Sequence, residues 1–208
     1  MTSRPRTNFA LLVASIVTAL PLWCARYLPF ADLPEHEAAS ALLAHASDPA
    51  WRFSEHYTFS IRTTPYWLYD VLGALLTKLT GDAILAHRCL LSCAAILLPW
   101  AVASFLGSLG RQRVLGTLSA PLFWSKALQF GFAPFVAGIP VLFFGLAAFV
   151  ATLRRPSSAR ACGALALGVT LALLHSVLFG LFVLSALALA IAWHRGKVRW
   201  RILPWTRR

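Results

Sequence analysis

Acidic residues are scarce in this 208-residue chain: seven Asp and Glu stand against 19 Lys and Arg, and no acid follows Asp82. Charged residues make up only 12% of the sequence and hydrophobic ones 59%. A soluble domain carries roughly 25% charge, so an ordinary soluble fold is excluded. The four cysteines, Cys24, Cys89, Cys93 and Cys162, form no CxxC pair and fall in apolar segments. They read as small packing residues, not as a disulfide frame or a zinc ribbon. The zinc-protease pattern HExxH is also missing: His36 and Glu37 begin it, but Ser40 stands where the second histidine belongs.

Long uncharged runs are what the chain does have. Phe9 to Ala25, Cys89 to Ser104, Ala127 to Leu153 and Ala161 to Trp193 each approach or exceed the roughly 20 residues that span a bilayer. The sequence therefore predicts an all-α, polytopic membrane helix bundle, a single membrane domain over 1–208. The net charge of +12 does not point to nucleic acid. Its basic residues sit in short clusters between apolar segments, the pattern of topology signals and anionic headgroup contacts. The apolar run after Arg4 and Arg6 is longer than a signal-peptide core, and Trp23 spoils "PLWC" as a lipobox, so an uncleaved first helix is expected.

The clusters are Arg4/Arg6, Arg111/Arg113, Arg154/Arg155/Arg160 and a tail of Arg195, Lys197, Arg199, Arg201, Arg207 and Arg208. Placing all of them in the cytoplasm demands an even number of crossings between successive clusters. That gives about six transmembrane helices: 9–30, 83–107, 114–126, 134–153, and two short ones within 161–193 that meet near His175. Both termini (1–8 and 194–208) are then cytoplasmic, with 83–193 forming helical hairpins in a cell inner membrane. Residues 31–82 become an extracytoplasmic loop with one or two amphipathic helices. Its segment 65–81 is short and carries Asp70 and Lys78, so it is expected at the outer interface or dipping in from one side. Prolines 21, 99, 121, 134 and 140 predict kinks that neighbouring helices can resatisfy.

All seven acids (Asp32, Glu35, Glu37, Asp48, Glu55, Asp70, Asp82) fall in that one loop. One reading is structural: Asp32 and Glu35 have capping-box spacing, Pro34 sits in the first turn, and Glu37 favours the positive helix end. The other is chemical. Carboxylates at a helix start on the membrane face can hold a divalent cation or accept a proton from a hydroxyl. Histidines 36, 45 and 56 lie in the same loop, although loop histidines are more often simply solvated than metal ligands. Lys126 and His175 interrupt later apolar stretches on the same predicted side, where a lysine usually snorkels and a histidine usually bonds across helices.

The stretch "PFADLPEHEAAS", followed by "PYWLYDVLGALLTKLTGDAILAHRCLLSCAAILLPWAVASFLG", resembles the integral-membrane GT-C glycosyltransferases. It is similar to their protein O-mannosyltransferase-like and aminoarabinose-transferase-like branches. The resemblance implies transfer of a sugar from a polyprenyl-phosphate donor to an acceptor at the outer face. By it, Asp32 would activate the acceptor or organise the site, with Glu35 or His36 assisting. Lys126 would steady the departing lipid phosphate, and His56 and His175 complete the candidate substrate-binding set. The second-loop acid of several such enzymes has no counterpart here. The alternative function is a non-catalytic membrane scaffold or lipid-binding subunit. A transporter fits less well, because intramembrane ionisable residues are few and no inverted repeat is evident.

Overall fold

The computed structural model describes residues 4–58 and 65–196; the predicted basic tail from Lys197 onward lies outside the described residues. The fold is all-α, with no strand among the described residues. Four helices are long and apolar enough to cross a membrane: Arg4–Trp23, Ala83–Ser108, Ala133–Arg154 and Ser176–His194. A fifth apolar helix, Ser158–Leu174, is shorter.

Helix α1 (Arg4–Ala19) tightens into a 3-10 turn at Leu20–Trp23, where Pro21 sits in the first turn and cannot donate to an α-helical ladder. The expected helix over 9–30 thus stops at Trp23. Helices α2 (Leu33–Ala44) and α3 (Trp67–Thr80) build the loop region. Gly81 closes α3 in the left-handed conformation, and Asp82 caps α4 (Ala83–Ser108) by accepting from Ile84 N at 2.8 Å and Leu85 N at 3.2 Å. α1 and α4 run antiparallel: Trp23 donates to Ser92 and Trp100 to Ser15, at 3.0 and 3.1 Å.

The predicted third helix over 114–126 is corrected by the structure. Residues Arg113–Ser119 form a 3-10 helix, followed by two four-residue pieces, α5 (Ala120–Phe123) and α6 (Lys126–Gln129). Two physical causes coincide. Pro121 disfavours a continuous ladder, and Gly116 lies so close to α4 that an added Cβ would come 2.5 Å from Pro99 O and 2.9 Å from the Ala103 Cβ. A 3-10 helix rises about 2 Å per residue, so a few residues carry the chain from Pro99 and Ala103 of α4 toward Thr18 of α1. Trp124 donates to Thr18 O at 3.0 Å, and Ala31 N reaches Gln129 O at 3.2 Å, so the segment ends beside α2.

Helix α7 (Ala133–Arg154) returns, and α8 (Ser158–Leu174) and α9 (Ser176–His194) form a hairpin whose break falls at His175. Small residues set their spacing: a Cβ on Gly138 would collide with Leu178, and one on Gly145 would approach Phe182 at 3.1 Å. The described members of the basic clusters therefore collect at one end of the bundle. The start of α2, the α3–α4 turn, Lys126 and His175 collect at the other. α3 begins and ends at this second end, folding back along the first turns of α4.

Candidate functional site

The acid-bearing end is organised around the contact of α2, α3 and α4. Ser40 of α2, Tyr69 and Gly73 of α3 and His87 of α4 are all buried, His87 and Ser40 completely. Gly73 makes the approach feasible: a Cβ there would overlap Ser40 Oγ and lie 2.9 Å from His87 Nε2. His87 Nε2 stands 2.9 Å from Ser40 Oγ, His87 Nδ1 stands 3.1 Å from the Tyr69 hydroxyl, and Ser40 Oγ is 3.3 Å from Asp70 O. One proton arrangement satisfies every member: Tyr69 donates to Nδ1, Nε2–H donates to Ser40, and Ser40 donates to the Asp70 carbonyl. In that arrangement Nε2 is already protonated and cannot activate Ser40 as a nucleophile. Burial raises the Tyr69 hydroxyl above the usual tyrosine range, and the Asp70 and Glu37 charges raise it further. Tyr69 therefore stays a neutral donor.

A second polar layer lies outside the first. His36 Nδ1 sits 3.1 Å from Asp70 Oδ1, and the imidazole is held edge-on against Tyr66 and Tyr69, with centroids 5.7 and 5.4 Å away. Tyr66 in turn contacts the His175 ring at 5.2 Å, and His175 meets Phe135 of α7 at 5.2 Å. His175 also caps α9, its Nδ1 accepting from Val177 N at 3.3 Å. Arg88 spans a neighbouring face. Its guanidinium donates to Ala25 O at 2.6 Å and to Arg26 O, and it lies 5.3 Å over the Trp23 ring. Burial pushes the Glu37 carboxyl up, the Asp82 carboxylate adds to this, and Arg88 opposes it.

The predicted site residues divide accordingly. Asp32 occupies the N-cap position of α2, but its carboxylate makes no capping hydrogen bond. The expected capping box is therefore absent; the Asp32 carbonyl receives Glu35 N at 3.1 Å, and Glu35 is exposed. Asp32 N instead donates to Phe130 O at 3.1 Å, beside the Ala31–Gln129 bond. These two bonds bring the "DLPEHE" motif against the segment that begins with exposed Lys126. His36 and His175 join through Tyr66. His56 stands exposed at the end of a short 3-10 turn, Phe53–Glu55, apart from the others. Histidines 36, 45 and 56 do not converge, and no group of three or more His, Cys, Asp or Glu suited to a metal occurs among the described residues.

Ser40, Tyr69, Asp70 and His87 escaped the sequence reading as a site. The available signal was His87, an ionisable residue inside a run otherwise read as a plain spanning helix. Its partners lie 18 and 47 residues away on other helices, so spacing could not reveal them. No family model, no curated protein and no solved structure matches this chain.

Proposed function

We propose that the chain is a multi-pass membrane protein, with its basic end cytoplasmic and its acid-bearing end on the outer face of a cell inner membrane. In this reading the chain crosses six times, the irregular 113–129 segment serving as the third crossing. Support comes from the large apolar side chains left exposed along α1, the 3-10 turn after it and α9, including Phe9, Ile16, Leu20, Leu184 and Leu187. Such faces suit lipid, not water.

At the outer end the chain acts as a GT-C-like transferase that moves a sugar from a polyprenyl-phosphate donor to an acceptor hydroxyl. The observation that carries this reading is the pair of backbone hydrogen bonds from Ala31 and Asp32 to Gln129 and Phe130. They hold the acidic motif at the start of α2 against the segment that begins with exposed Lys126. Asp32 organises the site, and the Lys126 ammonium offsets charge gathering on the departing phosphate. The closed Ser40–His87–Tyr69 network favours a second reading, a non-catalytic lipid-binding scaffold, because its polar groups are satisfied internally.

Purified chain in nanodiscs, incubated with radiolabelled undecaprenyl-phosphate mannose, glucose and aminoarabinose, separates the two. Sugar release or transfer supports the enzyme. Binding of undecaprenyl phosphate without turnover supports the scaffold, and neither binding nor turnover refutes both.

A further inference from the structure

We infer that the proton-accepting group of the acid-bearing end is His36, with Asp70 as its positioning residue. This rests on the transferase reading for its substrate, a hydroxyl-bearing acceptor, while the dyad itself rests on geometry.

A general base must have a free lone pair and a fixed direction. Asp32 lacks the second: its carboxylate has no hydrogen-bonding partner among the described residues. His36 has both. Asp70 Oδ1 lies 3.1 Å from Nδ1, so the carboxylate takes the Nδ1–H and leaves the lone pair on Nε2. Among the described residues Nε2 makes no hydrogen bond, and it is not among the buried side-chain atoms left without a partner. Nothing among the described residues therefore occupies the Nε2 lone pair, and the side chain keeps 14% of its surface exposed.

Two tyrosine rings fix the direction of that lone pair. Tyr69 is buried and locked by His87. Tyr66 adopts a left-handed backbone with φ of 81°, an uncommon conformation for an aromatic residue. That strain sets its ring between His36 and His175. The ionisable groups around His36 are thus Asp70 and Tyr69 on α3, Tyr66 just before it and His87 on α4, with His175 of the α8–α9 break behind Tyr66.

The chemistry balances simply. The acceptor O–H bond breaks and its proton moves to His36 Nε2, giving an imidazolium paired with the Asp70 carboxylate. The acceptor oxygen forms a bond to the anomeric carbon, and the bond from that carbon to phosphate oxygen breaks. Its electron pair leaves on the phosphate, which departs as polyprenyl phosphate.

The test combines two readouts on the full chain in nanodiscs. In 15N-histidine-labelled protein, the resonance lost in His36→Gln should report the Nδ1–H tautomer. Asp70→Ala should return it to the Nε2–H form that free histidine prefers. In donor turnover, His36→Gln should lose about 100-fold or more, with undecaprenyl phosphate binding unchanged. Asp70→Ala should fall similarly without loss of lipid binding. A wild-type His36 in the Nε2–H tautomer overturns the dyad whatever the activity. So does full turnover in His36→Gln. A wild type with the expected tautomer that turns over none of the three donors refutes the transferase reading instead, and leaves the dyad as a base for another hydroxyl ligand.

Discussion

The junction that holds Asp32 against the Lys126 segment hinges on Gly131, and a pair of glycine substitutions measures how much. Gly131 and Gly81 share nearly the same left-handed backbone, φ 81° and 73°. Placing an alanine there costs about 1–2 kcal/mol at either site, because its Cβ crowds the following carbonyl. The surroundings differ. Around Gly81 nothing lies within 4 Å of an added Cβ. At Gly131 that Cβ would overlap Asp32 N and lie 2.7 Å from Leu33 N and 2.8 Å from Asp32 Cα. These are backbone atoms that cannot rotate aside, so the two strands of chain must part. Parting them weakens the Ala31–Gln129 and Asp32–Phe130 hydrogen bonds, each worth about 1 kcal/mol. Gly131→Ala should then lose about 3–4 kcal/mol, and Gly81→Ala about 1–2 kcal/mol. Equilibrium unfolding in dodecylmaltoside micelles titrated with SDS reads both values. Losses within about 1 kcal/mol of each other would refute the close approach, since the backbone term common to both sites would then explain everything.

Other expectations address the network, the caps, ionisation and topology. Tyr69→Phe and Ser40→Ala each remove one side-chain hydrogen bond from buried His87 and should cost about 1–3 kcal/mol; the double variant should cost less than the sum, and strict additivity in the same unfolding assay would contradict a shared network. Asp82→Ala removes a side-chain cap and should cost about 1 kcal/mol, whereas Asp32→Ala, with no cap to lose, should cost under about 0.5; equal losses would restore the capping box at Asp32. Glu37 has a raised carboxyl pKa in the fold, so the folded state favours its protonated form and stability falls as pH rises past the ordinary carboxylate range. Glu37→Gln should accordingly raise stability at pH 7 and show no gain at pH 3; a loss at pH 7 would reverse the assignment. Maleimide applied to intact cells should label Ser47→Cys and spare Ser157→Cys, and labelling at 157 would break the proposed orientation.

The arrangement of helices was legible where one physical signal dominated. Apolar length exposes α4 and α7, and the 33 residues from 161 to 193 are too long for one crossing, about 50 Å at 1.5 Å per residue. A polar residue in that run, His175, marks its break because its ring nitrogen can cap the next helix. The segment 113–129 resisted the same reasoning. Hydropathy reports that a segment is apolar, not how many residues it spends per ångström. A proline and a glycine pressed against another backbone tilt that choice toward a 3-10 form, and only the neighbour reveals the pressure.

The site was half legible for a related reason. Residues exposed by an odd composition, such as the acids of "DLPEHE" or Lys126, stand out in the sequence whether or not they face one another. Residues that matter through a partner do not. Asp70 reads as the polar edge of an amphipathic helix until His36 is seen 3.1 Å away, and Tyr69 reads as an interfacial aromatic until His87 accounts for its hydroxyl. The same limit explains the false expectation at Asp32. Capping-box spacing is local information and reports what the side chain could do if nothing else held the turn. Here two backbone hydrogen bonds from a segment 98 residues on already hold it, so the carboxylate is released from structural duty. That free charge at the start of α2 and the His36–Asp70 pair 3.1 Å apart are the features on which the proposed proton transfer rests.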